Sequence, residues 1–295
     1  TADSYRNSME SIEDFLQHKS TIKQKAVKLS FMEVNPQWLN AYEKYMINTK
    51  GRSRTTVAIY LRNLRSVYNM AIKNKEINAE YYPFGKEKYQ IPSTRNTKKA
   101  LSHEELQQLF KVKPQNDYQQ KARDFWFFSY SCNGMNIKDI ALLRHENIEG
   151  DKIVFYRAKT INTTKKDIKP VTAYLTDFSK SVIKKYGNKS KNLKTLVFDI
   201  IDDALSDEDN HWKIKNFTRF INQHIKRLAE HHNIVADIST YWARHSFATN
   251  AIRKGASMEF VSEALSHSDL KTTQNYFAGF EDSSKKELMD SLMDF

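Results

Sequence analysis

The chain of 295 residues has a single cysteine, Cys132. One cysteine excludes an internal disulfide and fits a reducing compartment. Standing just before a turn, it reads as a small apolar packing residue rather than a nucleophile. Long apolar runs are missing too: no stretch approaches the roughly 20 residues a spanning helix needs. No signal peptide is visible, since the chain opens on polar Thr1-Ala2-Asp3-Ser4. It also opens without a methionine, which points to a processed chain or a fragment and leaves room for an upstream domain. Internal repeats and low-complexity tracts are absent. Acidic residues are in deficit, 35 against 47 lysines and arginines, for a formal net charge of +12. That balance calls for a polyanionic partner, nucleic acid first and an anionic membrane second, and the want of apolar runs weakens the second. Hydrophobic residues at 40% and aromatics at 12% are enough for ordinary cores, so wholesale disorder is excluded. The length suits two domains.

Along the chain, Pro36-Gln37 opens a helix whose apolar residues Trp38, Leu39, Tyr42, Tyr45 and Met46 recur at three-to-four spacing, with Gly51 where a helix would stop. A second helix follows Arg52-Ser53-Arg54, with the stripe Val57, Tyr60, Leu61, Leu64, Val67, Tyr68 and Ala71. An earlier helix around Ile12, Phe15 and Leu16 completes a small bundle, predicted to span residues 1–91. Arg52, Arg54, Arg62 and Arg65 lie largely off the stripe. They are either a solvated face or phosphate contacts. Residues 92–101, with Pro92 and the basic side chains Arg95, Lys98 and Lys99, read as a linker. Ser102 and Glu105 then form a capping-box pattern that starts a second domain over 102–295. There, a helix is expected over 134–144, a strand over 153–160, a polar tip over 162–167 and a second strand around 170–175. A further helix runs from Asp177 to Tyr186, and the rest is helical from Lys213 on. The expected fold class is mainly α with one small antiparallel sheet.

The last quarter carries the chemistry. Tyr241-Trp242-Ala243-Arg244-His245 is followed by Leu265-Ser266-His267 and then by Thr272-Thr273-Gln274-Asn275-Tyr276. An arginine, a histidine and a tyrosine thus recur in fixed order on what read as successive helices, and such a set can open a phosphodiester without metal. Ordered spacing over this distance is far more specific than a lone short motif. The pattern resembles the tyrosine recombinases, or phage-type integrases, with Ser266 in place of their usual glycine. The bundle, basic linker and mixed domain resemble that family's clamp, in which two domains grip opposite faces of a duplex.

The resemblance implies a site-specific recombinase acting on double-stranded DNA through a 3′-phosphotyrosyl intermediate, with no metal or energy cofactor. It implies a homo-tetramer on DNA, a four-way junction, possible DNA-bending accessory factors, and a cytoplasmic, nucleoid-associated protein of bacterial or mobile-element origin. Tyr276 would be the nucleophile. Arg244 would brace the phosphate with its planar fork, and His267 would bond the same phosphate or orient Tyr276. Lys159 matches the family's strand lysine, which protonates the departing 5′ oxygen. Two positions depart from the pattern. Asn136 stands where the first arginine is expected and supplies no charge, while Asp139 keeps the supporting carboxylate. Tyr241 stands where a histidine is expected three residues before Arg244, with one hydroxyl and no charge at neutral pH. If the strand runs through residue 160, Arg157 shares a face with Lys159 and can replace the lost arginine; a branch of the family that includes integrases of conjugative transposons looks similar. The alternative for Arg157 is an ion pair or a flanking phosphate contact.

Asp282 to Phe295 reads as a short helix start with the stripe Leu288, Leu292 and Phe295, which the resemblance docks on a neighbouring subunit. Three rival readings remain. A metal-dependent nuclease would use Asp199, Asp202, Asp203, Asp207, Glu208 and Asp209, although such runs are more often solvated loops. A zinc site at His231 and His232 is poorer, because adjacent side chains diverge on a helix. A catalytically impaired DNA-binding protein of the same fold is the third.

Overall fold

The structure, a computed structural model, describes residues 2–19, 29–93, 100–159, 161, 169–190, 192–234, 237–267, 269–276 and 289–290. The chain divides into two compact units, Thr1–Thr97 and Lys98–Phe295.

The first unit is a helical bundle of α1 (Ala2–Lys19), α2 (Pro36–Lys44) and α3 (Arg54–Lys73). Asn35 caps α2 by accepting from the Trp38 amide at 2.9 Å, with Pro36 in the first turn where its missing N–H is not needed. The helix then widens into a π-helical turn, Tyr45–Thr49, before Gly51 takes a left-handed φ of +61°. Phe15, Trp38, Leu39, Tyr42, Val57, Leu61 and Tyr68 form the core. The Phe15 ring meets Trp38 and Tyr42 edge-on at 5.2 and 5.4 Å, a favourable aromatic geometry. The buried hydroxyls are satisfied: Tyr68 donates to the Phe31 carbonyl at 2.6 Å, and Tyr42 and Ser11 share a bond of 2.7 Å. Arg52, Arg54, Arg62 and Arg65 are all exposed, whereas Arg95, Lys98 and Lys99 lie outside the described residues.

The second unit is built on α5 (Asp117–Ser131), preceded by α4 (His103–Lys111). The Ser102–Glu105 capping box is formed, at 3.2 and 2.7 Å. Helix α5 is apolar nearly all round, with Ala122, Phe125, Trp126, Phe127 and Phe128 buried, and such a helix must lie inside. It packs against α7 (Asp177–Tyr186), α8 (Asp207–His231) and α9 (Thr240–Arg253). The Trp126 indole donates to the Ser239 carbonyl at 2.9 Å and fixes the start of α9. Asp124, buried on α5, accepts from Gln120, Lys185 and Tyr186 at 2.6, 3.1 and 2.9 Å, which ties α5 to α7. Leu101, at the end of the expected linker, is fully buried. Its N–H donates to Ser246 at 2.8 Å and its carbonyl accepts from Asn250 at 3.1 Å, so the backbone just ahead of α4 is bound to α9.

A three-stranded antiparallel sheet, β1 (Ile148–Glu149), β2 (Lys152–Phe155) and β3 (Val171–Tyr174), lies in that chain order, with Ile153 opposite Ala173 and Phe155 opposite Val171. Fold class is therefore as expected, with helices predominating around a small antiparallel sheet. Two local expectations fail. The helix over 134–144 shrinks to α6 (Ile137–Leu142), because Asn133 and Gly134 both take left-handed φ and cannot continue a helix. The strand over 153–160 stops at Phe155, where the ladder to β3 ends, so Arg157 and Lys159 sit beyond it in a turn closed by the Ile161 amide on the Arg157 carbonyl at 3.1 Å. The chain closes with α10 (Met258–Ala264) and α11 (Leu270–Gln274). The polar tip over 162–167 lies outside the described residues, as does the terminal helix start except residues 289–290. No helix of the described residues is long and apolar enough to cross a membrane.

Candidate active site

The site is organised by the end of α10. Its last turn closes as a Schellman motif: the His267 amide donates to the Ser262 carbonyl at 2.9 Å and the Ser266 amide to Glu263 at 2.8 Å. Ser266 takes the left-handed position at φ +49°, where glycine would be easier. The carbonyls of Leu265 and Ser266 are left free of the helix ladder, and two arginines take them. Arg157 donates from Nη1 to Leu265 O at 2.9 Å and to Ser266 O at 3.2 Å. Arg244, on α9, donates from Nη2 to the same Leu265 oxygen and from Nη1 to Gly134 O at 3.2 Å. A helix C-terminus favours cations, and here it holds two.

Both guanidiniums are buried, Arg157 at 9% exposure and Arg244 at 4%. Burial pushes Arg244 down to about 10, and the neighbouring Arg157 charge pushes the same way, so it remains protonated at neutral pH. Like charges this close repel by on the order of a few kcal/mol at a protein-like dielectric. Among the described residues the carboxylate of Asp139, in the first turn of α6, faces them and accepts from the Ala158 amide at 2.9 Å. Its burial raises the pKa, against the Ala158 amide, Arg157, the Asn136 side chain and Arg244. Among the described residues two guanidiniums gather beside one carboxylate, an arrangement suited to an anion.

Tyr276 stands beside them, 5% exposed, its amide on the Thr273 carbonyl at 2.9 Å just beyond α11. Burial raises its pKa, while the Arg244 charge pulls it down. The His267 ring stacks parallel to the Tyr276 ring with centroids 6.0 Å apart. His267 Nδ1 is 2.9 Å from the hydroxyl of fully buried Thr273, and Nε2 is 3.5 Å from Arg244 Nη2. The structure thus brings together Arg157, Arg244, His267, Tyr276 and Asp139. Asn136 stands at the start of α6 without a side-chain capping bond and donates to Asp139 at a long 3.5 Å, a supporting contact without charge. Tyr241 is 55% exposed, its ring edge-on to His245 at 4.7 Å. Lys159 is exposed in the turn after β2, so the expectation that it and Arg157 project from one strand face fails; the strand had already ended. Arg157 enters the cluster from that turn instead.

Three participants had not been singled out from sequence. His245 has Nδ1 3.2 Å from the Tyr276 hydroxyl. Thr273 anchors His267. Gly134, at φ +63°, lies so close to α9 that an added Cβ would meet Arg244 Cα at 2.6 Å. Gly134→Ala should therefore cost about 2–4 kcal/mol, combining left-handed backbone strain with overpacking. It should also displace Arg244, read as a lower denaturation midpoint together with lost activity; an alanine variant of unchanged stability would show that the close approach is not real.

The rival acidic cluster is dispersed into local structure. Asp203 forms a bidentate pair with Arg144 at 2.9 and 2.7 Å, Asp209 accepts from Ser206 at 2.6 Å, and Asp199 accepts from Asn188 at 3.2 Å. His231 and His232 stand with rings at 87°, and His231 meets Gln115 at 2.8 Å. Among the described residues no group of three or more His, Cys, Asp or Glu side chains is placed to hold a metal ion. Cys132 is buried and its thiol pushed up to about 12, unfit as a nucleophile.

A mainly helical unit that gathers two arginines, a histidine and a tyrosine at one helix end has the groups that phosphoryl transfer needs: fixed positive charge and a hydroxyl beside it. Residues 1–91 match the phage integrase SAM-like domain and residues 99–282 the phage integrase family, so the chain belongs to the phage integrases, the tyrosine-type site-specific recombinases. Relatives include tyrosine recombinase XerC of Listeria innocua, 25% identical over 281 residues that cover 94% of this chain and 86% of the relative. A tyrosine recombinase of Thermosipho africanus is 26% identical over 243 residues, 81% of this chain and 77% of the relative. The fold is similar to that of the Tn1549 transposon integrase, solved in complex with a circular intermediate DNA, at a TM-score of 0.64 and 12% identity over 96% of this chain and 99% of that one. It is also similar to XerH recombinase bound to a palindromic difH substrate, at a TM-score of 0.65 and 16% identity over 97% and 78% of the two chains.

Proposed function

We propose that this recombinase cleaves each strand of a double-stranded DNA site by attack of Tyr276 on the scissile phosphate. The step forms a 3′-phosphotyrosyl bond and releases a 5′ hydroxyl. A 5′ hydroxyl from a second duplex then attacks that bond and reseals the strand, so bond energy is conserved without metal or energy cofactor. The observation that carries the reading is the pair of buried guanidiniums on the Leu265 carbonyl beside the Tyr276 hydroxyl, because phosphoryl transfer is catalysed mainly by fixed positive charge at the non-bridging oxygens. Arg157 takes the place of the arginine missing at Asn136. His267, oriented by Thr273, donates to the same phosphate, Tyr241 borders the site, and Asp139 holds the arginines in place. Lys159, on its exposed turn, protonates the leaving 5′ oxygen once DNA is bound.

Arg52, Arg54, Arg62 and Arg65 of the helical unit contact backbone phosphates, joined by Arg95, Lys98 and Lys99 of the basic segment 92–101. Four subunits act together on paired sites in the bacterial cytoplasm, on chromosomal or mobile-element DNA, with accessory factors that bend it. Domain limits of 1–91, 92–101 and 102–295 suit this division of labour.

The test is covalent capture: the protein is mixed with a pool of nicked duplexes randomised across the site, and protein-linked DNA is recovered under denaturing conditions and sequenced. A captured consensus formed equally well in EDTA is expected. Adduct that requires a divalent ion would overturn the metal-free reading, and DNA retention with no adduct would favour a non-catalytic DNA-binding protein.

A further inference from the structure

We propose that His245 is the proton acceptor for Tyr276 in strand cleavage and returns that proton on resealing, a role that rests on the reading of Tyr276 above. The chain has no histidine three residues before Arg244, yet a phenol that must attack phosphorus has to lose its proton to some base. His245 Nδ1 lies 3.2 Å from the Tyr276 hydroxyl. The ring is fixed by its place in α9 and by Tyr241, one helical turn earlier, whose ring stands at 74° to it.

The other groups around the hydroxyl are unsuited to the task. Arg157 and Arg244 are already protonated and cannot accept. His267 lies across the Tyr276 ring, with Nδ1 on Thr273 and Nε2 toward Arg244. Asp139 is occupied by the Ala158 amide and the Asn136 side chain. Among the described residues, Tyr241, Arg244, Tyr276 and, beyond the tyrosine ring, His267 are titratable groups placed around His245. Burial works against spontaneous ionisation of Tyr276, so a base in contact with the oxygen has a job to do at neutral pH.

The step balances as follows. Neutral His245, with its own proton on Nε2, takes the Tyr276 proton on Nδ1 as the phenolic oxygen bonds to phosphorus. The bond from phosphorus to the 5′ oxygen breaks with its electron pair on that oxygen, which takes a proton from Lys159. In resealing each transfer runs backward, and the departing phenolate recovers its proton from the His245 imidazolium.

The test uses the captured duplex in two forms, one with the ordinary phosphodiester and one with sulfur as the bridging 5′ atom. A thiolate leaves without an acid, so sulfur bypasses the need for Lys159 but not the need to deprotonate Tyr276. His245→Asn keeps an amide where Nδ1 was and removes the basicity; His245→Ala removes both. Single-turnover cleavage by each variant is expected to fall by on the order of 10² to 10⁴. The defect should persist on the sulfur duplex, whereas that of Lys159→Ala disappears. The pH profile should also change: the rate of His245→Asn should keep climbing further into the alkaline range than that of the wild type, because the variant must wait for the phenol to ionise unaided. Full activity of His245→Asn would reduce His245 to a positioning contact, and rescue of either variant by sulfur would assign it to the leaving group; each overturns the proposal. Thermal melting and duplex binding confirm folding, and if the alanine variant fails to fold the asparagine variant decides. An adduct that survives Tyr276→Phe would instead overturn the reading of Tyr276 on which the proposal rests.

Discussion

Tyr276→Phe is expected to leave duplex binding unchanged and to abolish the covalent adduct altogether. The tyrosine ring is 5% exposed and packs with Ala248, Ile252, Val261 and Leu265, contacts that phenylalanine reproduces. What is lost is the hydroxyl with its 3.2 Å contact to His245 and its hydrogen bond with Arg244, together worth about 1–3 kcal/mol of stability. The two guanidiniums are held by backbone carbonyls rather than by Tyr276 alone, so the positive pocket remains. In enzymes with a covalent intermediate, removing the nucleophile costs on the order of 10⁶ in rate, enough to take the adduct below detection. The measurement is a denaturing gel of the captured nicked duplex beside a binding titration. A DNA-linked band of wild-type intensity from the phenylalanine variant would move the nucleophile elsewhere.

Much of this site could be read from order along the chain. Arg244, His267 and Tyr276 were visible because each lies on or beside a short helix of the last quarter, where local spacing survives folding. Ser266 in place of glycine proved to be a left-handed residue at a helix end, which is why a glycine is expected there. His245 was passed over because a histidine within a helix carries no signal of its own. A signal did exist: if Tyr241 borders the site, the residue four positions later on the same helix face must border it too. Thr273 and Gly134 were legible only in three dimensions, since each matters through a contact to a distant residue. The short extent of β2 is hidden in the sequence for a related reason. Val154, Tyr156 and Ala158 continue a plausible alternation, but a strand lasts only as long as its partner, and the ladder to β3 stops at Phe155.

Arg157 reaches the candidate site by a route other than the expected strand face, and it carries the second large effect. It was linked to the site through a shared strand face with Lys159; the structure places it there through a turn and two carbonyls at the end of α10, more than a hundred residues away in the chain. Arg157→Ala is expected to slow cleavage by a factor on the order of 10² to 10³, the cost of one preorganised donor to a transition-state oxygen. Arg144→Ala should do far less, because Arg144 is committed to Asp203 and to the Lys194 carbonyl in a half-exposed pair. The alanine at 157 also relieves repulsion on Arg244, whose pKa the neighbouring charge depresses, so the variant should lose rate without a matching loss of stability. That combination separates a phosphate ligand from a structural arginine: the first lowers cleavage at constant melting temperature, the second lowers both. Lysine at 157 should recover only part of the rate, because one ammonium cannot hold the Leu265 and Ser266 carbonyls and a phosphate oxygen with the geometry of a planar fork. Single-turnover cleavage and thermal melting of Arg157→Ala, Arg157→Lys and Arg144→Ala on the same duplex decide the matter. Equal and small effects at 157 and 144 would show that the charge missing at Asn136 is supplied from another part of the chain.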